Sequence, residues 1–210
     1  MESGYYILEN GEQKGPFTFN ELKELDIENH TSILSPNDAT WQDACDLPEL
    51  YAYFEARGIY LPTGDNLASF GWRLLAFLID YVILSLLMTI LLAIANSFGF
   101  NLRVLSYTDL LKLSAKDQLT LEIAVYASLI IYNWACDVSP MKGSIGKRVF
   151  KMVVVDVEGM SPNFLVSLLR SVGKVISLMF YGLGFLSIFF TEHRQALHDL
   201  LAKTYVVKRN

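Results

Sequence analysis

Phe70-Gly71-Trp72-Arg73-Leu74-Leu75-Ala76-Phe77-Leu78-Ile79-Asp80 opens an apolar stretch that runs on to Phe98 and carries an arginine and an aspartate within it. A hydrocarbon core about 30 Å thick is crossed by ~20 residues of helix, so Gly71 to Phe98 spans it with tilt to spare. A charge at that depth costs roughly 2.5–3.5 kcal/mol even on lenient insertion scales, so such residues face protein or water and find partners. Arg73 and Asp80 lie two turns apart on nearly one face, about 10 Å along the axis, and can belong to one network. Arg73, near the helix start, can extend its cation toward the headgroups. The short carboxylate of Asp80 cannot, and it requires a partner or a proton. One role for it is a structural brace, a buried ion pair with Lys147, Arg148 or Arg170 that holds helices together. The other is a carboxylate that loads and releases a proton or cation along a polar path.

Hydrophobic residues make up 52% of the 210 and charged residues 19%, a balance more apolar than a soluble domain needs and one that places the chain among membrane proteins. The net charge of -5 is unevenly spread: Glu and Asp crowd the first fifty residues, while Lys and Arg dominate after Lys142. The two halves are therefore different kinds of protein. A net acidic chain without a basic aromatic groove offers no footing for nucleic acid. Cys45 and Cys136 fall in regions of opposite character and make no disulfide framework, which points to a reducing compartment. Met1-Glu2-Ser3-Gly4-Tyr5 lacks a basic segment followed by an apolar core, so no cleavable signal peptide is expected.

In the polar head, Tyr5 to Leu8, the Asn10-Gly11 pair and Gln13 to Phe17 predict two strands around a turn. Thr18-Phe19-Asn20-Glu21 matches a capping box, with Phe17 ahead of it placed to pack on Leu22, so a helix is predicted to start at Phe19. Ser32-Ile33-Leu34 predicts a further strand, and Trp41 and Leu47 are expected to close the core. Residues 51–66, with Gly58, Pro62 and Gly64, are read as a connector between a module at 1–50 and a membrane domain at 67–210.

A second span is predicted over Leu119 to Ala135. Leu165 to Phe190 is either a third span or two short half-helices, because Arg170 and Lys174 interrupt its first half and Gly182 and Gly184 its second. Phe150 to Val157 and Lys203 to Val207 both read as strands, and a lone strand leaves backbone groups unpaired, so each is expected to want the other. Their pairing makes Leu165 to Phe190 a re-entrant or surface-lying helical hairpin. Lys142, Lys147, Arg148 and Lys151 before it, and Arg194, Lys203, Lys208 and Arg209 after it, place both flanks on the cytoplasmic face. Ser167, Arg170, Lys174 and Ser177 form a polar stripe on this segment, suited to anionic lipid or to the wall of a cavity.

Several tempting motifs do not hold. Gly143 to Lys147 has two residues between its glycines and Arg148 after its lysine, so it is not a phosphate loop. Glu192, His193, His198 and Asp199 are metal-ligand types, yet the histidines are five apart and do not share a helix face, so no metal is expected. No Ser-His-Asp or Cys-His arrangement can be assembled, hence no catalytic residue, no cofactor and no enzyme are expected.

Two resemblances sharpen this. Gly15-Pro16-Phe17 after a tyrosine-rich strand, then the capped helix, then Trp41 and Leu47-Pro48-Glu49-Leu50, resembles the bacterial GYF-like domains known as GYF domain 2, over about Tyr5 to Leu50. The likeness implies an adaptor, since the better-known GYF domains hold proline-rich peptides on an aromatic surface. Tyr6, Phe17 and Trp41 are then the candidate peptide contacts, and core packing is their other use. The run from Phe70 to Asp80, followed by Lys142-Gly143-Ser144-Ile145-Gly146-Lys147-Arg148, Arg170 and Leu197-His198-Asp199-Leu200-Leu201, resembles the RDD family of small bacterial membrane proteins, over about Leu67 to Val207. By that likeness Arg73, Asp80 and Asp199 are the residues that name the family, and transport of a ligand or ion is implied as one family role.

The expected molecule is a small α+β soluble domain followed by an α-helical integral membrane domain. That domain has two full spans plus a re-entrant or third helical segment, and a small β-hairpin-like pairing on the cytoplasmic side. Arg73, Asp80, Lys147, Arg148, Arg170 and Asp199 form its charged membrane network. The expected function is a bacterial inner-membrane anchor or assembly component with a cytoplasmic head, whose partners are membrane lipid and a proline-rich or other cytoplasmic protein. The rival is an ion or proton-coupled transporter using Arg73, Asp80 and Asp199. It would be homo-oligomeric, because two spans and a hairpin enclose no pathway alone.

Overall fold

The computed structural model describes residues 4–9, 11–99 and 114–209. They divide into two compact units, Met1–Leu61 with Glu158–Met160, and Pro62–Val157 with Ser161–Asn210.

In the first unit, β1 (Tyr5–Glu9) pairs antiparallel with β2 (Glu12–Phe17) and, on its other edge, with β3 (Ser32–Leu34), which in turn pairs with β4 (Gln42–Asp43). Gly11 turns the first hairpin with a φ of 81°, a region that glycine enters without steric cost. Asn10 of the expected turn lies outside the described residues. α1 (Phe19–Glu24) starts where the capping box predicts: the Thr18 hydroxyl accepts from the Glu21 amide at 3.3 Å, and the Glu21 carboxylate accepts from the Thr18 amide at 2.7 Å. Leu22, Ile33, Leu47, Leu50 and Phe54 are fully buried in one core.

Phe54 corrects the expected connector. Pro48–Leu50 forms a 3₁₀ turn that runs into α2 (Tyr51–Ala56), and Tyr53, Phe54 and Leu61 pack in the head's core rather than linking two domains. The Tyr53 hydroxyl donates to the Leu25 carbonyl at 2.8 Å and accepts from the Ile27 amide at 3.0 Å, fastening the chain that leaves α1. A second correction concerns Trp41, which is 39% exposed while Leu47 closes the core.

The second unit contains α3 (Phe70–Ser97) and α4 (Ala115–Val138), both long and apolar enough to cross a membrane. The Ser114 hydroxyl caps α4 by accepting from the Asp117 amide. Beyond them lie α5 (Ile145–Val149), β5 (Met152–Val155), α6 (Phe164–Met179), a 3₁₀ segment at Leu183–Phe189, α7 (Leu197–Leu201) and β6 (Tyr205–Lys208). α6 and the 3₁₀ segment meet at 106°. Tyr181 and Gly182, with φ of 54° and 78°, make that bend, and glycine carries the second of these left-handed steps without a Cβ penalty.

β5 and β6 pair antiparallel from Met152 opposite Lys208 to Val155 opposite Tyr205. Leu67 bridges to Val207, so the segment just before α3 docks on the free edge of β6. The Ala68 amide donates to the Val206 carbonyl at 2.9 Å and the Lys208 amide to the Asn66 carbonyl at 2.8 Å. Every residue of β5 is buried, and Met152, Val154 and Val206 pack on Ala68 and Ala76 at the foot of α3. α3 therefore springs from a small sheet. Its further length presents Val82, Leu86 and Ile90 outward, as a hydrocarbon solvent requires.

Candidate functional site

The polar residues of the second unit converge between the foot of α3, the end of α4, α5, α6 and α7. Asp199, on α7, is wholly buried. Its Oδ1 accepts from Arg170 Nε at 2.9 Å and from an Arg170 terminal nitrogen at 2.7 Å, and its Oδ2 accepts from Arg73 at 2.5 Å and from the Ala196 amide at 3.2 Å. Arg170 turns its other terminal nitrogen to Asp137 Oδ2 at 2.6 Å. Lys147 approaches Asp137 Oδ1 at 3.5 Å. Two carboxylates thus hold three cations in a chain that ties α3, α4, α5, α6 and α7 together. Arg73 extends the chain to the backbone, donating to the carbonyls of Ala68 at 3.1 Å and Arg194 at 2.7 Å.

Electrostatics keep the α7 end of the cluster in one protonation state. The Arg170 guanidinium leads the neighbours that hold the Asp199 carboxyl far below the usual carboxylate range, against a burial that alone would raise it. Burial pushes the His198 imidazole down to about 3, so it is neutral at physiological pH. Burial also pushes the Lys147 ammonium down.

Asp80 departs from its expected place. It is buried, 4% exposed, but forms no ion pair among the described residues. Its Oδ1 accepts from the Tyr132 hydroxyl at 2.7 Å and from the Gly146 amide at 2.8 Å. Tyr132 in turn accepts from the Ile145 amide at 3.2 Å. Asp80 therefore fixes the start of α5 against α3 and α4. Gly146 permits this approach, since a Cβ there would lie 2.1 Å from the Ala76 carbonyl oxygen. Arg148 also departs from expectation: its side chain faces outward and joins no ion pair among the described residues. The structure gathers Arg73, Lys147, Arg170 and Asp199 into one ionic chain, places Asp80 beside it on neutral donors, and leaves Arg148 out.

Asp137, Tyr132, Asn133 and Lys174 complete the cluster. The Lys174 ammonium donates to Asn133 Oδ1 at 2.6 Å and sits 5.6 Å from the Phe77 ring centre. Asn133 and Asp137 are one turn apart near the end of α4, and that i, i+4 polar pair was the available signal for both. The stripe on α6 faces protein, with Ser167, Arg170 and Ser177 buried. A cavity of about 360 Å³ opens beside it, walled by Arg73, Asp80, Lys147, Arg170, Lys174 and His198 on one side and by apolar side chains of α3, α6 and the bend on the other.

In the first unit, Tyr6 lies opposite Leu34, on the sheet face turned away from Ile7 and Ile33. Ile33 pairs with Gln42, and one more step in that register sets Trp41 opposite Leu34. Phe17 instead pairs with Tyr5 and packs on the core, so it does not share a surface with the other two candidates. His30, Asp43 and Cys45 bring ligand atoms within 4.8 Å of one another. Burial raises the Cys45 thiol, which keeps it protonated and a poor ligand.

Two long apolar helices footed on a buried arginine–aspartate chain, with a bent helical pair beside them, define an integral membrane protein that carries a small α+β head. The chain belongs to the RDD family, whose model matches residues 67–203, and its head matches GYF domain 2 over residues 5–50. It is 28% identical over 146 residues to the uncharacterized protein YxaI of Bacillus subtilis (strain 168), covering 67% of this chain and 96% of that protein. No solved structure matches it.

Proposed function

We propose that the protein is a non-enzymatic anchor or assembly component of a bacterial inner membrane, whose head lies on the cytoplasmic side and holds a protein partner there. One observation carries this: among the described residues, each buried carboxylate of the membrane unit already has donors. Asp199 has Arg73, Arg170 and the Ala196 amide, Asp137 has Arg170 and Lys147, and Asp80 has Tyr132 and Gly146. Carboxylates so occupied brace helices, and a cation would have to displace charged partners from Asp199 and Asp137, and the Tyr132 and Gly146 donors from Asp80, to bind them. On the head, Tyr6, Leu34 and Trp41 offer an apolar row suited to an extended proline-rich peptide, whose preformed helix loses little entropy on docking.

The oligomeric ion or proton-coupled transporter is the second reading, favoured by Asp80 lying on a cavity wall. Asp80→Asn separates the two. Asparagine keeps an oxygen for both Tyr132 and Gly146, so the fold is retained. On the anchoring role, vesicles holding wild type or variant show the same passive cation and proton flux as empty vesicles. A wild-type flux that the variant abolishes overturns it. For the head, Trp41→Ala in the full chain is expected to lower retention on immobilised proline-rich peptide at least about fivefold, and unchanged retention removes the peptide-binding role.

A further inference from the structure

We propose that the cavity of the membrane unit binds the head of an anionic phosphoglycerol lipid drawn from the surrounding bilayer. The charges on its wall do not balance from within. Four cations, Arg73, Lys147, Arg170 and Lys174, stand against three carboxylates, Asp80, Asp137 and Asp199, and among the described residues Lys174 makes no ion pair: its direct contacts are the neutral amide of Asn133 and the face of Phe77, with Asp137 and Asp80 acting only at longer range. A cation held in a low-dielectric site without a direct ion pair leaves part of its desolvation uncompensated, and a phosphate supplies the one negative charge the wall lacks.

A second observation concerns His198, which is 4% exposed and lines the same cavity. Its Nε2 lies 3.3 Å from Asp199 Oδ1 and so carries the proton. Its Nδ1 then presents a lone pair, and among the described residues no hydrogen-bond partner reaches it. A phosphoglycerol head carries hydroxyl donors beside its anion, the chemistry that this acceptor lacks.

The remaining wall selects the source. Phe77, Leu178, Phe185 and Leu186 give the cavity an apolar side fit for the first methylenes of an acyl chain. Tyr181, 99% exposed, and the largely exposed Leu183 stand on the bend beside it. Such a rim is at home in hydrocarbon, so the cavity is reached from the bilayer. At about 360 Å³ it lies at the low end of ligand pockets, roughly 300–1,000 Å³, which suits a headgroup and the start of one chain.

The test uses the full-length protein in mixed micelles, with saturable thermal stabilisation as the readout. Phosphatidylglycerol is expected to raise Tm while phosphatidylcholine and free glycerol phosphate do not. Lys174→Met keeps the packed stem and removes the charge, and is expected to weaken the phosphatidylglycerol response at least about tenfold, the lower end of what a charge-assisted hydrogen bond is worth. Leu178→Trp fills the cavity without removing a charged group and decides the matter where Lys174→Met fails to fold, with loss of the response expected. Equal stabilisation by phosphatidylcholine, or an undiminished response in a folded variant, overturns the proposal. Binding of glycerol phosphate as tight as that of the lipid overturns its bilayer source.

Discussion

Asp199 carries the ionic chain, because Arg73 and Arg170 both depend on it while it is itself fully withdrawn from solvent. Asp199→Asn leaves the buried Arg73 guanidinium with no carboxylate to answer it and Arg170 with Asp137 alone, a change worth about 3–5 kcal/mol of stability. Chemical unfolding in detergent should show that loss, and a variant within about 1 kcal/mol of wild type would contradict the assignment. His198 adds a pH dependence. It is held neutral in the fold, with its value lowered from 6.5 to about 3, so the unfolded chain binds more protons as pH falls. Its contribution is complete above pH about 6.5 and is lost progressively below it. Tm in detergent should therefore fall progressively as pH drops from about 6.5 toward 3, and His198→Asn should flatten the first part of that fall. Asp199, whose carboxyl is held low, contributes in full above the ordinary carboxylate range, and its contribution is lost only at more acidic pH. Arg73 and Asp80 were legible as charges needing shelter, because hydrocarbon tolerates neither. Their partners were not: Tyr132 reads as an ordinary membrane aromatic, and no sequence pattern says that a peptide amide at Gly146 will meet a carboxylate on another helix.

Pairing of β5 with β6 was legible for a different reason, since two isolated valine-rich segments each carry backbone groups that only the other can satisfy. The docking of Leu67 on β6 was hidden, because a bridge of one residue leaves no periodic trace. This sheet is the footing of α3. Met152→Ala, at a fully buried position in its core, should cost about 2–5 kcal/mol, whereas Val149→Ala, at the exposed end of the neighbouring α5, should cost almost nothing. A Met152 variant as stable as the Val149 variant would mean that the sheet does not anchor the helices. The sheet also fixes which ends lie together: Asn66 and Lys151 both bond the last strand, as acceptor to the Lys208 amide and to the Arg209 amide. In a variant with Cys45 and Cys136 replaced by serine, cysteines placed at Lys151 and Lys208 should react with an impermeant maleimide from one side of the vesicle, and one at Ser114 from the other. Labelling of Lys151 and Lys208 positions from opposite sides would break the re-entrant topology of the bent pair.

Over the whole molecule the division of labour follows from solvent. The membrane unit can leave α3 apolar outward because lipid covers it, but the head must bury its own apolar surface, and a domain this small has little to spare. Its core therefore recruits residues beyond the segment that carries the GYF-like pattern. Phe54 is fully buried, Tyr53 fastens the backbone after α1 through two hydrogen bonds, and Leu61 closes the same cluster. Tyr51, Tyr53 and Phe54 lie in a stretch read as a connector, where Gly58 and Pro62 outweighed three aromatics that no solvated linker needs. Fully burying one large apolar side chain contributes about 1.5–3 kcal/mol. Removing Phe54 and Tyr53 together thus takes away a large part of the ~5 kcal/mol at the low end of small-domain stability. A fragment of residues 1–61 should melt cooperatively by near-ultraviolet circular dichroism, while a fragment of residues 1–50 should not. A cooperative transition in the shorter piece, at a temperature within a few degrees of the longer, would show that α2 belongs to the connection after all and that the head's core closes at Leu50.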